Sequence, residues 1–181
     1  MGKCMTDPTR IDPKLNKAER TCRVVIETPK GSRAKYTYES ELQALELSGL
    51  LPAGMSFPLD YGFIPSTLAE DGDPLDILVL GDEPSVAGCV VQVKLLGVIE
   101  AEQTEKGKTV RNDRLLARTA LSINYQDAGS VEDLEATLVE HLGRFFINFN
   151  ELKGKGFKVV GVGDGERALQ LLKNAFGSAG R

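Results

Sequence analysis

The chain has 181 residues, 41% of them hydrophobic and 27% charged, with a formal net charge of −4. That length suits one domain with a sizeable core, and the acidic balance argues against a nucleic-acid partner, because phosphate backbones demand a basic face. No apolar run approaches the roughly 20 residues of a membrane span, so no membrane partner is expected.

Residues 1–20 are polar, carry two prolines and read as an arm or disordered lead-in ahead of a domain over 21–177. They lack the apolar stretch of a secretory signal. Met1-Gly2 with Thr6 formally fits a myristoylation pattern, read here as a chance match. Cys4, Cys22 and Cys89 are odd in number and lack CxxC spacing, which suggests reduced thiols and a cytoplasmic setting.

"RVVIET" (23–28) predicts a strand ended by Pro29. "AKYTYE" (34–39) alternates, with Lys35, Thr37 and Glu39 on one face and Tyr36 and Tyr38 on the other. "LQALEL" (42–47) is a weaker strand or turn, and a Gly/Pro-punctuated link leads to Phe57. "DILVL" (76–80) predicts a short buried strand. "CVVQVKLLGVIEAE" (89–102) predicts a long one, with Gly97 at a bulge or corner. A further strand is expected over 109–119.

The period then changes. Ser130-Val-Glu-Asp133 resembles a capping box, and Val131, Leu134, Leu138, Leu142, Phe145 and Phe149 recur at threes and fours, as on a helix of about five turns. "FKVVGV" (157–162) is a strand, and a last helix starts near Asp164 and stops at Gly177. The expected fold is α+β and β-rich: a small OB-like closed β-barrel with two flanking α-helices.

The segment "YGFIPSTLAEDGDPLDILVL" (61–80) crowds Asp71, Asp73 and Asp76 against the mouth of a buried strand. Positions i and i+2 of an extended segment project to one side, so Asp71 and Asp73 can converge, and Asp76 can join them if Gly72 and Pro74 bend the chain. Carboxylates 4 Å apart repel by about 1 to 4 kcal/mol per pair. A hard divalent cation offsets that cost, Mg²⁺ being the usual choice for carboxylate and water ligands. An acidic surface turn is the plain alternative. An EF-hand loop does not fit, since Leu75 and Asp76 fall where it needs an oxygen ligand and a glycine.

"DGDPLDI" (71–77), with "FPLDYGFIP" upstream, "VVIETP" followed by "AKY", and "VGVGD" before a helix, resembles the soluble inorganic pyrophosphatases with an OB-type barrel. The resemblance covers about residues 22–176. It implies Mg²⁺-dependent hydrolysis of diphosphate to two phosphates, with Mn²⁺ or another divalent ion as a possible substitute. By the same resemblance, Asp71 and Asp76 would bind metal, and Asp73 would orient or deprotonate the attacking water. Lys35 and Tyr61 would contact phosphate oxygens, and Glu27 would support a water-mediated metal shell. Family members of this length also imply a homo-oligomer, commonly a hexamer.

Departures from the family pattern are numerous. Thr37 stands where it has an acid, Gly49 where it has an arginine, and Phe57 where tyrosine is usual. Gln103 and Asn112 replace two metal-binding aspartates, Arg114 a lysine, and Phe149-Asn150 a Tyr-Lys pair. Glu102, Glu105 or Asp113 could compensate only after a one-residue slip, which reverses facing in a strand. Two readings follow: a working but divergent pyrophosphatase, or a non-catalytic relative that keeps a metal or phosphate site for a structural or regulatory role.

Three lesser features read plainly. "GVGDGE" (161–166) is a turn and helix start rather than a dinucleotide fingerprint, because only fifteen residues follow. "KGKGFK" (153–158) is a small basic loop that could approach phosphate but reads rather as an exposed turn before a strand. His141, without a His or Cys partner, reads as structural or exposed.

Overall fold

A computed structural model of the chain describes residues 7–179, with side chains as far as Phe176. In chain order the elements are β1 (Thr21–Thr28), β2 (Ala34–Glu39), β3 (Ala44–Leu50), β4 (Asp60–Phe63), β5 (Asp76–Leu80), β6 (Val90–Glu105), β7 (Lys108–Arg111), β8 (Arg114–Thr119), α1 (Ala136–Glu151), β9 (Gly156–Asp164) and α2 (Gly165–Ala179). The main sheet runs β1-β4-β5-β8-β6, and β6 pairs again with β1, so the path returns to its first strand. β7 and β9 extend β6, while β2 and β3 form a separate hairpin. This is the expected β-rich, OB-like architecture with two helices. No described helix is long and apolar enough to cross a membrane.

β5 shows why "DILVL" is continuously apolar. It pairs in parallel with β8, and both of its faces are covered. Ile77 and Val79 enter the cluster that holds Leu169 and Leu172 of α2. Leu78 and Leu80 enter the one that holds Leu142 and Phe146 of α1. Alternate side chains thus feed two cores, each fully buried leucine or isoleucine contributing about 1.5–3 kcal/mol. The carboxylate of Asp76 stands where this strand leaves the core.

β6 changes register between Leu95 and Gly97, the bulge expected there. A Cβ at Gly97 would come within 2.8 Å of Val131, which packs over the bend. The β2–β3 hairpin is tied to β1 by side chains. Thr28 Oγ1 accepts from Tyr36 N at 3.0 Å, and Glu27 Oε1 accepts from Tyr38 N at 2.6 Å. The N-terminal arm from Asp7 lies against the sheet. The Thr9 carbonyl accepts from Ser66 N at 2.7 Å, the Pro13 carbonyl accepts from Arg23 N at 2.7 Å, and Leu15 packs on the core.

Several boundaries differ from expectation. β4 was not foreseen: four residues, "DYGF", are too short to show a period, and their burial comes from neighbours on both sides. The third strand falls at 44–50, later than the 42–47 segment. The strand expected over 109–119 breaks at Asn112-Asp113, because the Asp113 carboxylate takes the Ala101 N–H at 2.9 Å in place of a backbone acceptor. The Asp133 carboxylate accepts from Ser130 N at 2.9 Å, as a capping box requires, yet it caps a single 3-10 turn (Val131–Asp133), and α1 begins only at Ala136. α2 runs through Gly177 to Ala179 instead of stopping there. The Met1-Gly2 pattern and Cys4 lie outside the described residues.

Candidate active site

The centre of the site is Tyr61 on β4, 6% exposed. Its ring lies 5.5 Å from that of Phe57 and 6.1 Å from that of Phe146, within an aromatic cluster that Phe145 and Phe149 complete. Phe145, Phe146 and Phe149 share one face of α1, as their spacing of one, three and four requires. Such ring pairs contribute about 0.5–1.5 kcal/mol beyond their burial. Gly62 lets β4 press this close to β1, since a Cβ there would overlap the carbonyl oxygen of Val25. Burial, and then the charge of Asp76, hold the Tyr61 phenol well above its ordinary pKa, so it stays a donor.

Asp76 acts on the Tyr61 hydroxyl, and Asp71 and Asp73 lie close enough to Asp76 to feel its charge. Gly72 adopts a φ of +93°, which only glycine accepts cheaply, and the resulting turn lets Asp71 Oδ1 accept from Asp73 N at 3.2 Å. Burial, and then the charges of Asp76 and Asp73, raise the Asp71 carboxyl, against the pull of the Asp73 N–H. Burial and the charge of Asp76 likewise raise Asp73, against the pull of Lys35 and Lys155. Glu27, buried on β1, is pushed up to about 7, chiefly by desolvation.

Cations face these acids. Lys35 Nζ lies 5.6 Å from the Tyr61 ring centre and donates to Thr37 Oγ1 at 2.8 Å, so its charge has only a neutral partner there. Arg114 is 5% exposed and donates from Nη1 to Asp76 Oδ2 at 2.6 Å. Its guanidinium lies over Phe146 and Phe157, at 5.1 and 5.5 Å from the ring centres. Lys153 and Lys155, in the turn before β9, complete the basic arc. Desolvation, and then Lys35, Lys155 and Arg114, push Lys153 down to about 8. Cations crowded together, one of them with its pKa pushed down, suit an anion-binding place.

All six residues singled out from the sequence, Glu27, Lys35, Tyr61, Asp71, Asp73 and Asp76, lie in this one neighbourhood. Arg114, Lys153 and Lys155 were not among them. Lys153 and Lys155 looked like an exposed turn, and only their crowding of like charge could have suggested otherwise. The replaced positions are neutral and inwardly satisfied. Thr37 shares a 2.8 Å hydrogen bond with Ser48, and Asn112 Nδ2 donates to Gln103 Oε1 at 3.1 Å. Asn150 turns back to donate to the Phe146 carbonyl at 2.8 Å. Glu105 is paired with Lys155 at 2.8 Å and Asp113 with Arg111 at 2.7 Å, so both acids are already matched by cations.

Among the described residues no three carboxylate, imidazole or thiol groups close a cage around an ion. The donors present suit a hard cation that keeps most of its water and takes one or two carboxylates. Asp71 and Asp73 have no ion-pair partner among the described residues, and Asp76 has an oxygen beyond the one paired with Arg114.

An OB-like sheet carrying an acidic arc and a basic arc around one buried tyrosine defines a centre for a multiply charged anion and a cation together. Residues 24–179 match the model of the family described as inorganic pyrophosphatase, and the chain belongs to that family. It is 40% identical over 161 residues to the inorganic pyrophosphatase of Thermus thermophilus, covering 89% of this chain and 91% of that one. It is 36% identical over 152 residues to that of Methanosarcina acetivorans, covering 84% and 88%. Among solved structures, the Thermus thermophilus enzyme superposes with a TM-score of 0.88 at 34% identity, over 97% of this chain and 100% of that one. The Neisseria gonorrhoeae enzyme gives 0.85 at 29% identity, over 97% and 100%.

Proposed function

We propose that this protein hydrolyses diphosphate to two phosphates with a divalent cation, Mg²⁺ by preference. The observation that carries the reading is the opposition of Asp71, Asp73 and Asp76 to Lys35, Lys153, Lys155 and Arg114 across Tyr61. Asp71 and the Asp76 oxygen that Arg114 does not pair would hold the ion. When bound, the ion lowers the pKa of its water and neutralises phosphoryl oxygens.

The chain's own residues supply the rest. Asp73 sits between the acids and Lys35 and Lys155, a place from which its carboxylate can orient and deprotonate an attacking water. Desolvation raises its pKa, which makes it a stronger base than an exposed aspartate. Lys35, Lys153 and Lys155 draw in the phosphate oxygens as mobile point charges. The Tyr61 hydroxyl, kept protonated by burial, donates to the anion or to Asp76. Glu27 anchors the β2–β3 hairpin through Tyr38 N and so sets the position of Lys35.

The second reading, a relative that binds diphosphate without cleaving it, rests on Thr37, Asn112, Gln103 and Asn150, whose side chains are spent on neighbouring side chains or on backbone. Phosphate release from diphosphate with saturating Mg²⁺, compared between the native chain and Asp73→Asn, decides. Turnover that falls about 100-fold or more in the variant is expected of a general base. Turnover absent from the native chain, with diphosphate still bound, establishes the binding-only reading.

We further propose a cytoplasmic homo-oligomer, a hexamer by family analogy. Exposed Cys89 and buried Cys22 are free thiols, which suits a reducing compartment. Val160 and Val162 of β9 expose 43% and 51% of their surface, which suits contact between copies. A monomeric mass by light scattering would remove that assembly.

A further inference from the structure

We propose that Arg114 is a built-in cation that takes the place of a second divalent ion, so that this centre works with a single metal per chain. The proposal rests on the reading of the site as a divalent-ion centre and specifies how many ions it takes.

Asp76 stands between two positive partners. One oxygen, Oδ2, is held by Arg114 Nη1 at 2.6 Å, which is a charge-assisted hydrogen bond of full strength. Any ion bound to Asp76 must therefore approach its other oxygen. Beyond Arg114 the strand offers no anionic ligand. Asn112 stands two residues before Arg114, and its side-chain oxygen accepts from Arg114 Nη1. The Asn112 amide nitrogen donates to Gln103 Oε1 on β6, so both amide oxygens on this side are already accepting hydrogen bonds. The carbonyls of Asn112 and Asp113 are also taken by Nη1, at 3.3 and 3.1 Å. The acceptors on the Asn112–Arg114 side of Asp76 are thus committed to the guanidinium or its neighbour.

The guanidinium cannot give way by losing its charge. Arginine keeps its proton throughout the working pH range. Nor can it swing aside, since Phe146 and Phe157 flank it. The arrangement is not a fully satisfied structural ion pair. Arg114 Nε is buried and has no hydrogen-bond partner, a defect that folded proteins seldom retain without a use.

Titration of the metal-free protein with Mn²⁺, followed calorimetrically and by electron paramagnetic resonance, tests this without any turnover. One ion per native chain is expected. Arg114→Met, which keeps an apolar stem between the two rings, should bind Mn²⁺ about tenfold more tightly, because a unit charge beside Asp76 is gone. Arg114→Lys, which keeps the charge, should stay within about threefold of native. Should Arg114→Met fail to fold by circular dichroism, the charge-adding pair Gln103→Asp with Asn112→Asp carries the test, and should raise the count to two. Two or more ions on the native chain, no gain in affinity for Arg114→Met, or an unchanged count in the aspartate pair each overturn the built-in cation. Zero ions on the native chain would instead defeat the divalent centre on which it rests.

Discussion

The Lys153 ammonium lies 4.3 Å from the centre of the Phe149 ring, so an aromatic face stands where the basic arc has no carboxylate to offer. A ring attracts a cation by about 0.5–2 kcal/mol, less than a buried ammonium loses in hydration. Lys153 is accordingly pushed down to about 8 by desolvation and by Lys35, Lys155 and Arg114. Its charge is present below that pH and lost above it. The account predicts that kcat/KM for diphosphate declines as pH rises through about 8, and that Lys153→Arg carries the decline upward by more than about one pH unit, since arginine stays charged. A pH–rate profile of the two proteins checks this. An unshifted limb would remove Lys153 from the site.

Glu27 gives a stability prediction of definite sign. Its carboxyl is raised from 4.5 to about 7, chiefly by burial, so the folded state binds a proton more tightly than the unfolded one. Below about pH 4.5 both states are protonated and nothing is lost. Between about 4.5 and 7 the unfolded state ionises first, and the fold loses about 3 kcal/mol by pH 7 and above. Glu27→Gln should therefore flatten the fall in stability over that range and melt higher than the native metal-free protein at pH 8. Urea denaturation at pH 5 and pH 8 reads the difference.

Gly62 and Gly72 separate fold from function. A Cβ at Gly62 overlaps the backbone of β1, and Gly62→Ala should cost about 3 kcal/mol and displace Tyr61. At Gly72 a Cβ meets nothing within 4 Å, and only its φ of +93° is at stake. Gly72→Ala should cost about 1–2 kcal/mol, with a loss of activity larger than the loss of stability, because that turn aims Asp71 and Asp73. Thermal melts and phosphate release together distinguish the two cases.

Gly49 lies opposite Lys35 in the hairpin register, and open space surrounds the position of a missing Cβ. Gly49→Arg would add a fourth mobile cation to the arc without a clash. A charge-assisted hydrogen bond to phosphate contributes about 1.5–3 kcal/mol, so KM for diphosphate should fall about tenfold or more. Initial-rate kinetics at fixed Mg²⁺ measure it, and an unchanged KM would place the anion elsewhere.

Much of this was legible in the sequence because it is written in local spacing. β2 and β5 fall at the expected residues, Gly97 sits at a bulge, and "DGDPLD" places its acids beside a buried strand through one glycine turn. What escaped depends on partners distant in the chain. β4 has four residues, and its burial is conferred by β1 and β5 on either side of it. The break at Asn112-Asp113 follows from a carboxylate reaching across to Ala101. Lys153 and Lys155 read as a solvated turn, since nothing in "KGKGFK" tells that Lys35 and Arg114 will crowd them. Arg114 counted only as a departure from the family's lysine, and its burial between Asp76 and two phenylalanines shows it as the fixed charge of the site.

The central claim is that the acidic and basic arcs close on one diphosphate. A crystal structure with Mg²⁺ and imidodiphosphate, whose bridging nitrogen resists cleavage, tests it most directly. The account predicts an ion against Asp71 and Asp76, phosphate oxygens within hydrogen-bonding reach of Lys35, Lys153 and Lys155, and Asp73 facing the bridge. Carboxylates turned apart into solvent, with the diphosphate bound elsewhere or absent at saturating concentration, would contradict it.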